Sequence, residues 1–206
     1  MPEIEVFASK RNINSIEKYS SEKVTVTSDN VALISNCDVL ILALKPYTVL
    51  PFIQEHKEYL DADRHTLVSV ATGISIEEIL KSSGSNFGIY RAMPNTATAV
   101  NESMTALSSN SDPLNRGEFV AEIFNGLGTT VRIDESLMDA ATILGACGIA
   151  YVLRFMRAMI QGGIEVGFDA KTATQIVSQT MKGASELILQ NGSHPEQEID
   201  KVTTPK

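Results

Sequence analysis

Apolar residues fall in short runs through the first two-thirds of the chain. Ile4–Ala8, Val24–Thr27, Asp38–Leu44, Thr66–Ala71 and Phe87–Ala92 each read as a strand bounded by polar or turn-forming residues. Ser103–Ser108 and Thr129–Ile133 continue the series. Between the runs, Asn12–Ser20, Pro46–Tyr59, Ser75–Ser82 and Pro113–Gly126 read as helical. Ser75 followed by Glu78 has the capping-box spacing that marks a helix start. Asp38–Leu44 is apolar almost throughout, which predicts a strand covered on both faces. The alternation predicts an α/β fold with a mostly parallel sheet and helices on both faces.

The rhythm changes after Asp134. Val152, Phe155, Met156, Met159, Gly163 and Val166 repeat at helical spacing, and so do Ala173, Ile176, Val177, Thr180, Ala184, Leu187 and Ile188. Gly167 and Asp169 read as a stop and a cap, and a third helix begins near Pro195. This places a boundary at 133–135, between a sheet domain of residues 1–133 and a helical domain of residues 134–206. Two long helices cannot enclose a core alone, so their apolar stripes are expected to meet the sheet, further sequence or a second subunit. Small residues at Ala158, Gly162, Gly163 and Gly167 permit close helix approach, and a homodimer or higher homo-oligomer is expected.

Composition narrows the function classes. The net charge of −8 over 206 residues argues against a nucleic-acid surface. Cys37 and Cys147 lack CxxC spacing and histidine is scarce, so no metal site is expected. The same features suggest a reduced, cytoplasmic compartment. No apolar run comes near the ~20 residues that span a bilayer, so no membrane partner is expected. His56, His65 and His194 sit on polar segments and are expected to be exposed.

Four loops follow successive strands, where ligands of open parallel sheets bind. Ser9, Lys10 and Arg11 follow the first strand with no carboxylate among them, a set suited to a phosphate monoester. A basic pair after a strand is also an ordinary solvated loop. Leu44 and Lys45 precede Pro46, so their backbone can lie against a cofactor; an ordinary strand-to-helix turn reads the same way. Thr72-Gly73 and Pro94-Asn95-Thr96 repeat the theme, as functional loops or simple turns. Leu144–Tyr151 reads as a glycine-bearing turn into a helix whose free N–H groups, Gly148 among them, suit a substrate carboxylate; a plain helix connection is the alternative. Cys147 has no activating base in view and reads as a small apolar filler.

FASKR, Asn30 before CDVLILALKP, VSVATG, RAMPNT, GACGIAY and HPEQEIDKVTTPK, in this order, resemble the landmarks of pyrroline-5-carboxylate reductases. That resemblance implies a Rossmann-type domain followed by a helical dimerisation domain. It implies NADPH- or NADH-dependent reduction of 1-pyrroline-5-carboxylate to L-proline, the last step of proline synthesis. It also implies cofactor contacts at Ser9, Lys10, Arg11, Asn30, Leu44, Lys45 and Thr72, and substrate-side roles for Glu135 and Lys201. No catalytic nucleophile or metal is implied.

The sequence departs from the family pattern in three places. The strand and GxGxxG turn that open the family are not in it, so a sheet position is expected to stand unfilled. It stops at Pro205-Lys206, ahead of the family's Gly-rich segment. SGSGPAY reads GACGIAY. On the first two counts this chain is expected to bind NADPH weakly and turn over negligibly. The alternative is a non-catalytic fragment or paralogue serving as a dimerisation module. The β-hydroxyacid dehydrogenase and F420-dependent reductase groups share the sheet rhythm, but the lysine-bearing helix motif of the former is not seen.

Overall fold

Each strand expected from the apolar runs is present, with its ends shifted by at most two residues: β1 (Val6–Ser9), β2 (Val24–Thr27), β3 (Val39–Leu42), β4 (Thr66–Ser69), β5 (Gly88–Met93), β6 (Ser103–Ser109) and β7 (Gly128–Arg132). The computed structural model describes residues 4–84 and 86–203, so the terminal Thr204, Pro205 and Lys206 of the last motif lie outside the described residues. β1 and β2 pair in parallel as one sheet, and β3-β4-β5-β6-β7 form a second. Pairing is parallel except between β5 and β6. Among the described residues, neither β1 nor β3 has a strand on its other edge.

Helices connect the strands: α1 (Asn30–Asn36), α2 (Pro46–His56), α3 (Ile76–Ser83) and α4 (Gly117–Asn125). A short α5 (Met138–Ala141) follows, then a π-helical turn at Thr142–Ala146. The main core packs Ile34, Val49, Ile53, Ile79 and Phe87 against Leu40, Leu42, Leu67 and Ile89 of the sheet. A second cluster sets Val120 and Phe124 of α4 against Val68, Tyr90, Ala92 and Leu107 on the other face.

Three expectations need correction. Asn12–Ser20 forms two 3-10 turns, Ile13–Ser15 and Glu17–Tyr19, because Asn12 accepts the Asn14 N–H and closes a tight turn. α1 was not anticipated, although Asp29 caps it by accepting from the Ala32 N–H. β3 is covered on one face only; Leu40 and Leu42 are buried, while Ile41 is 44% exposed.

The histidine expectation also fails at two positions, since His56 and His65 are buried. His65 is 2% exposed. Its Nδ1 accepts the Asp61 N–H at 2.8 Å, so Nε2 carries the proton and donates to the Ile34 carbonyl at 3.2 Å. Burial, with Arg64 nearby, pushes the His65 pKa below its ordinary value. The unfolded chain therefore binds the proton more readily than the folded one. Stability is present above the unfolded value of about 6.5 and falls as the pH drops below it. Urea midpoints at pH 7.5 and 5.5 are expected to show this loss, and His65→Gln is expected to shrink it.

The chain divides into two compact units, residues up to Cys147 and residues from Gly148 onward. The second contains α6 (Gly148–Glu165), α7 (Ala170–Asn191) and α8 (Pro195–Val202). Asp169 caps α7 by accepting from the Lys171 and Thr172 N–H groups, and Gly167 takes φ +113° at the end of the preceding helix. A Cβ on Gly163 would lie 3.2 Å from that of Ala173, so glycine lets α6 and α7 approach closely. Only Ala173 and Val177 are buried among the described residues of these helices, while Tyr151, Leu153, Phe155 and Leu189 are exposed.

The stretch Glu135–Glu165 is helical over 31 residues and reaches a mean hydropathy of 1.6. By length and composition it is long and apolar enough to cross a membrane, against the expectation that no run approached that length. Scattered Asp and Arg residues break the run without lowering its average far.

Candidate functional site

Two hydrogen-bonded ends of α1 orient the strands. Ser9 closes β1, and its Oγ donates to Oδ1 of Asn30, the first residue of α1, at 2.6 Å. The helix then runs back along β1, where the Phe7 N–H reaches the Cys37 sulfur. At its far end, Arg64 donates to the Ser35 carbonyl at 2.8 Å and to Oδ1 of Asp38 at 3.0 Å. Asp38 leads into β3, so β1 and β3 point the same way. Ser9–Arg11 therefore shares an edge with the loops that follow β3, β4 and β5.

The expected cofactor residues are distributed along this edge. Lys10 and Arg11 are exposed, and Lys10 Nζ donates to Ser15 Oγ at 2.8 Å. Lys45 occupies the N-cap of α2 without a side-chain cap bond, ahead of Pro46. Its ammonium, a donor only, cannot cap the helix N–H groups. Thr72 follows β4, and Gly73 supplies the left-handed φ of +74° that turns the chain. Thr72 Oγ1 donates weakly to Met93 Sδ at 3.8 Å.

The end of β5 is tied to the segment after Asp134 at three points. Arg91 Nη1 pairs with Glu135 Oε1 at 2.9 Å, and that same oxygen accepts the Ile76 N–H at 2.8 Å. Met93 packs on Met138. Asn95 Nδ2 donates to the Gly145 carbonyl at 3.4 Å, while its Oδ1 holds the Ala97 N–H. Arg91 is 7% exposed at the side chain and Glu135 33%. Arg91 Nε is buried without a partner, a loss of roughly 1–3 kcal/mol. Arg91 was not singled out in the sequence. A single cation inside the otherwise apolar GIYRAM strand was the available signal.

The expected glycine turn at Leu144–Tyr151 is replaced by helix. Thr142–Ala146 is π-helical, and the Cys147 N–H donates to the Thr142 carbonyl at 2.9 Å, so that N–H is not free. Cys147 is exposed rather than a buried filler. Gly148 opens α6, and Lys201 in α8 pairs with Glu198 at 2.7 Å.

Comparison with known proteins then decides the family. Pyrroline-5-carboxylate reductase 2 of Dictyostelium discoideum is 36% identical over 217 residues, covering 98% of this chain and 72% of that protein. The chain belongs to the pyrroline-5-carboxylate reductase family. The family model for pyrroline-5-carboxylate reductase dimerisation matches residues 135–206. Pyrroline-5-carboxylate reductase 1 of Dictyostelium discoideum is 38% identical over 98% of this chain, which spans 39% of that longer protein. The structure of Plasmodium falciparum pyrroline carboxylate reductase, solved with NADP bound, superposes with a TM-score of 0.84 at 26% identity, covering 100% of this chain and 86% of that one.

A cavity of about 180 Å³ also opens in this reductase-family chain, beside Tyr90, Ser108, Asp112, Gly117 and Arg132. Its carboxylate is bonded from several sides. Asp112 accepts the Arg116 N–H at 2.7 Å, the Gly117 N–H at 2.8 Å and the Tyr90 hydroxyl. Burial, reinforced by that hydrogen bond, pushes the Tyr90 phenol well above its ordinary value and keeps it protonated. The cluster caps α4.

Proposed function

We propose that this chain supplies a cofactor edge and substrate-side residues to a reductase that converts 1-pyrroline-5-carboxylate to L-proline with NADPH, whatever turnover the 206-residue chain shows alone. The observation that carries this reading is the Ser9–Asn30 hydrogen bond, flanked by exposed Lys10 and Arg11 at the carboxyl edge of the sheet. A hydroxyl, an amide and two cations fit the 2′-phosphate of NADPH, whereas a carboxylate there would favour the free hydroxyl of NADH. NADH remains the second cofactor of this site.

The nicotinamide supplies hydride for the C=N carbon. The protein's share is placement and charge. Leu44, Lys45 and Thr72 offer backbone and polar groups along the edge. Glu135 presents Oε2, which has no partner among the described residues, as an acceptor for the N–H of the protonated imine. Gly148 and Lys201, in the helical unit, keep only the substrate-side roles that the family resemblance implies. Apolar residues left exposed on α6 and α7 suit a homodimer, in keeping with the family model that matches there. We read the exposed apolar residues of the Glu135–Glu165 stretch as a subunit contact rather than a bilayer span, with nucleic acid no partner of so acidic a chain. Free thiols at Cys37 and Cys147 fit a reducing, cytoplasmic compartment.

The test is NADPH consumption by the 206-residue chain with 1-pyrroline-5-carboxylate. Joint Lys10→Ala and Arg11→Ala substitution is expected to raise the KM for NADPH about tenfold, since each exposed phosphate contact contributes only ~0.5–1 kcal/mol, and to leave the KM for NADH within about threefold. An equal effect on both cofactors would sink the phosphate assignment. The second reading, a non-catalytic dimerisation module, is favoured by the exposed apolar helices. A dimer in sedimentation that shows neither turnover nor NADPH binding would establish it.

A further inference from the structure

We propose that Arg91 is a positioning residue of the substrate site and acts through Glu135. The geometry of the pair carries the argument. A buried arginine and a carboxylate usually meet as a fork, two nitrogens on two oxygens. Here the fork is not made. Arg91 offers only Nη1, and it goes to the oxygen that the Ile76 N–H already holds. Two donors converge on Oε1, and among the described residues Oε2 has none and Arg91 Nε is buried and unpartnered. A pair serving stability alone would gain by rotating into the fork. The observed arrangement gives up that gain and fixes the carboxylate plane from one side.

Three separate elements meet at Oε1: β5 through Arg91, the start of α3 through Ile76, and the turn that carries Glu135 itself. Oε2 is thereby presented at a set position on the exposed side of the pair. Arg91 balances the charge of Glu135, so the site needs no second buried cation before its ligand arrives. The ligand class is a five-membered cyclic iminium or secondary ammonium, whose N–H points at Oε2. This inference rests on the substrate-side reading of Glu135 given above.

Calorimetric titration of the full chain with L-proline tests it apart from turnover. Arg91→Met is expected to weaken proline binding at least tenfold. Arg91→Lys, which keeps one donor for Oε1, is expected to recover affinity to within about threefold. Because Arg91 acts through Glu135, Arg91→Met added to Glu135→Ala is expected to weaken binding no further than Glu135→Ala alone. Additive losses, or Arg91→Met binding within twofold of the unsubstituted chain, would overturn the positioning role while leaving the functional reading intact. An unsubstituted chain that fails to bind L-proline would overturn both.

Discussion

Glu135→Ala is expected to lower the unfolding free energy of the sheet-bearing unit by about 3 kcal/mol. Removing one partner of a buried ion pair costs ~3–5 kcal/mol, because the remaining charge is left uncompensated. The lower end applies because Glu135 is 33% exposed at the side chain and water can partly screen the change. Arg91, at 7%, has no such access. Alanine also strips the Ile76 N–H of its acceptor at the start of α3. For a chain of this size the melting temperature is expected to fall by roughly 6–12 °C. Glu135→Gln keeps a carbonyl oxygen in place and is expected to lose about half as much. Urea denaturation of the three proteins measures the series. A loss under about 1 kcal/mol for alanine would show that Arg91 finds another partner, and the ion pair would then not be what holds β5 to the segment after Asp134.

That pair also shows where sequence reading stops. The strands were legible because each is a short apolar run ended by Asp, Asn, Gly or Pro, and α3 because Ser75 and Glu78 announce its cap. Ser9 and Asn30 were both named from the sequence, but their hydrogen bond depends on α1, seven residues long and too short to show a helical period. Arg91 was hidden by its own strand, since a run of apolar neighbours says that a residue is buried and not what it meets. Glu135 lies 44 residues further on, and no local pattern links the two. The π-helical turn was read as a glycine turn because Gly145 and Gly148 suggest a break. Tertiary contact overrides that tendency, with Ala146 packed beside Met93 and Met138. Polar neighbours likewise made His65 look exposed, whereas its ring satisfies two backbone groups inside the core.

Gly128→Ala is expected to be as damaging as the loss of Glu135, for a different reason. Gly128 starts β7 at φ +143°, a conformation that side-chain-bearing residues rarely adopt. A Cβ there would collide with the backbone oxygen and nitrogen of Ser103, its register partner on β6. Backbone cannot swing aside as a side-chain tip can. Strain of ~1–3 kcal/mol from the dihedral adds to ~1–3 kcal/mol from overpacking, so about 3 kcal/mol or more is expected to be lost. Gly84→Ala makes the control. Gly84 also has positive φ, at +70°, but nothing lies within 4 Å of its Cβ position, and about 1 kcal/mol is expected. Equal losses at the two sites, read by thermal unfolding, would mean that the Ser103 contact relaxes.

The antiparallel pairing of β5 with β6 has a further consequence, for the order in which the molecule assembles. These strands follow one another directly through residues 94–102, so they can zip as a hairpin within about 1–10 μs. Every parallel pair must wait for its crossover connection to close. The hairpin carries Arg91 and leads into Asn95, so the partners of Glu135 and Gly145 are set early. β1 and β2, which pair with no strand of the larger sheet, are expected to join last, through α1. Native-state hydrogen exchange should show Ser9 and its neighbours opening often while β5 and β6 stay closed. The edge that carries Ser9 can then breathe without disturbing the wall that holds Glu135.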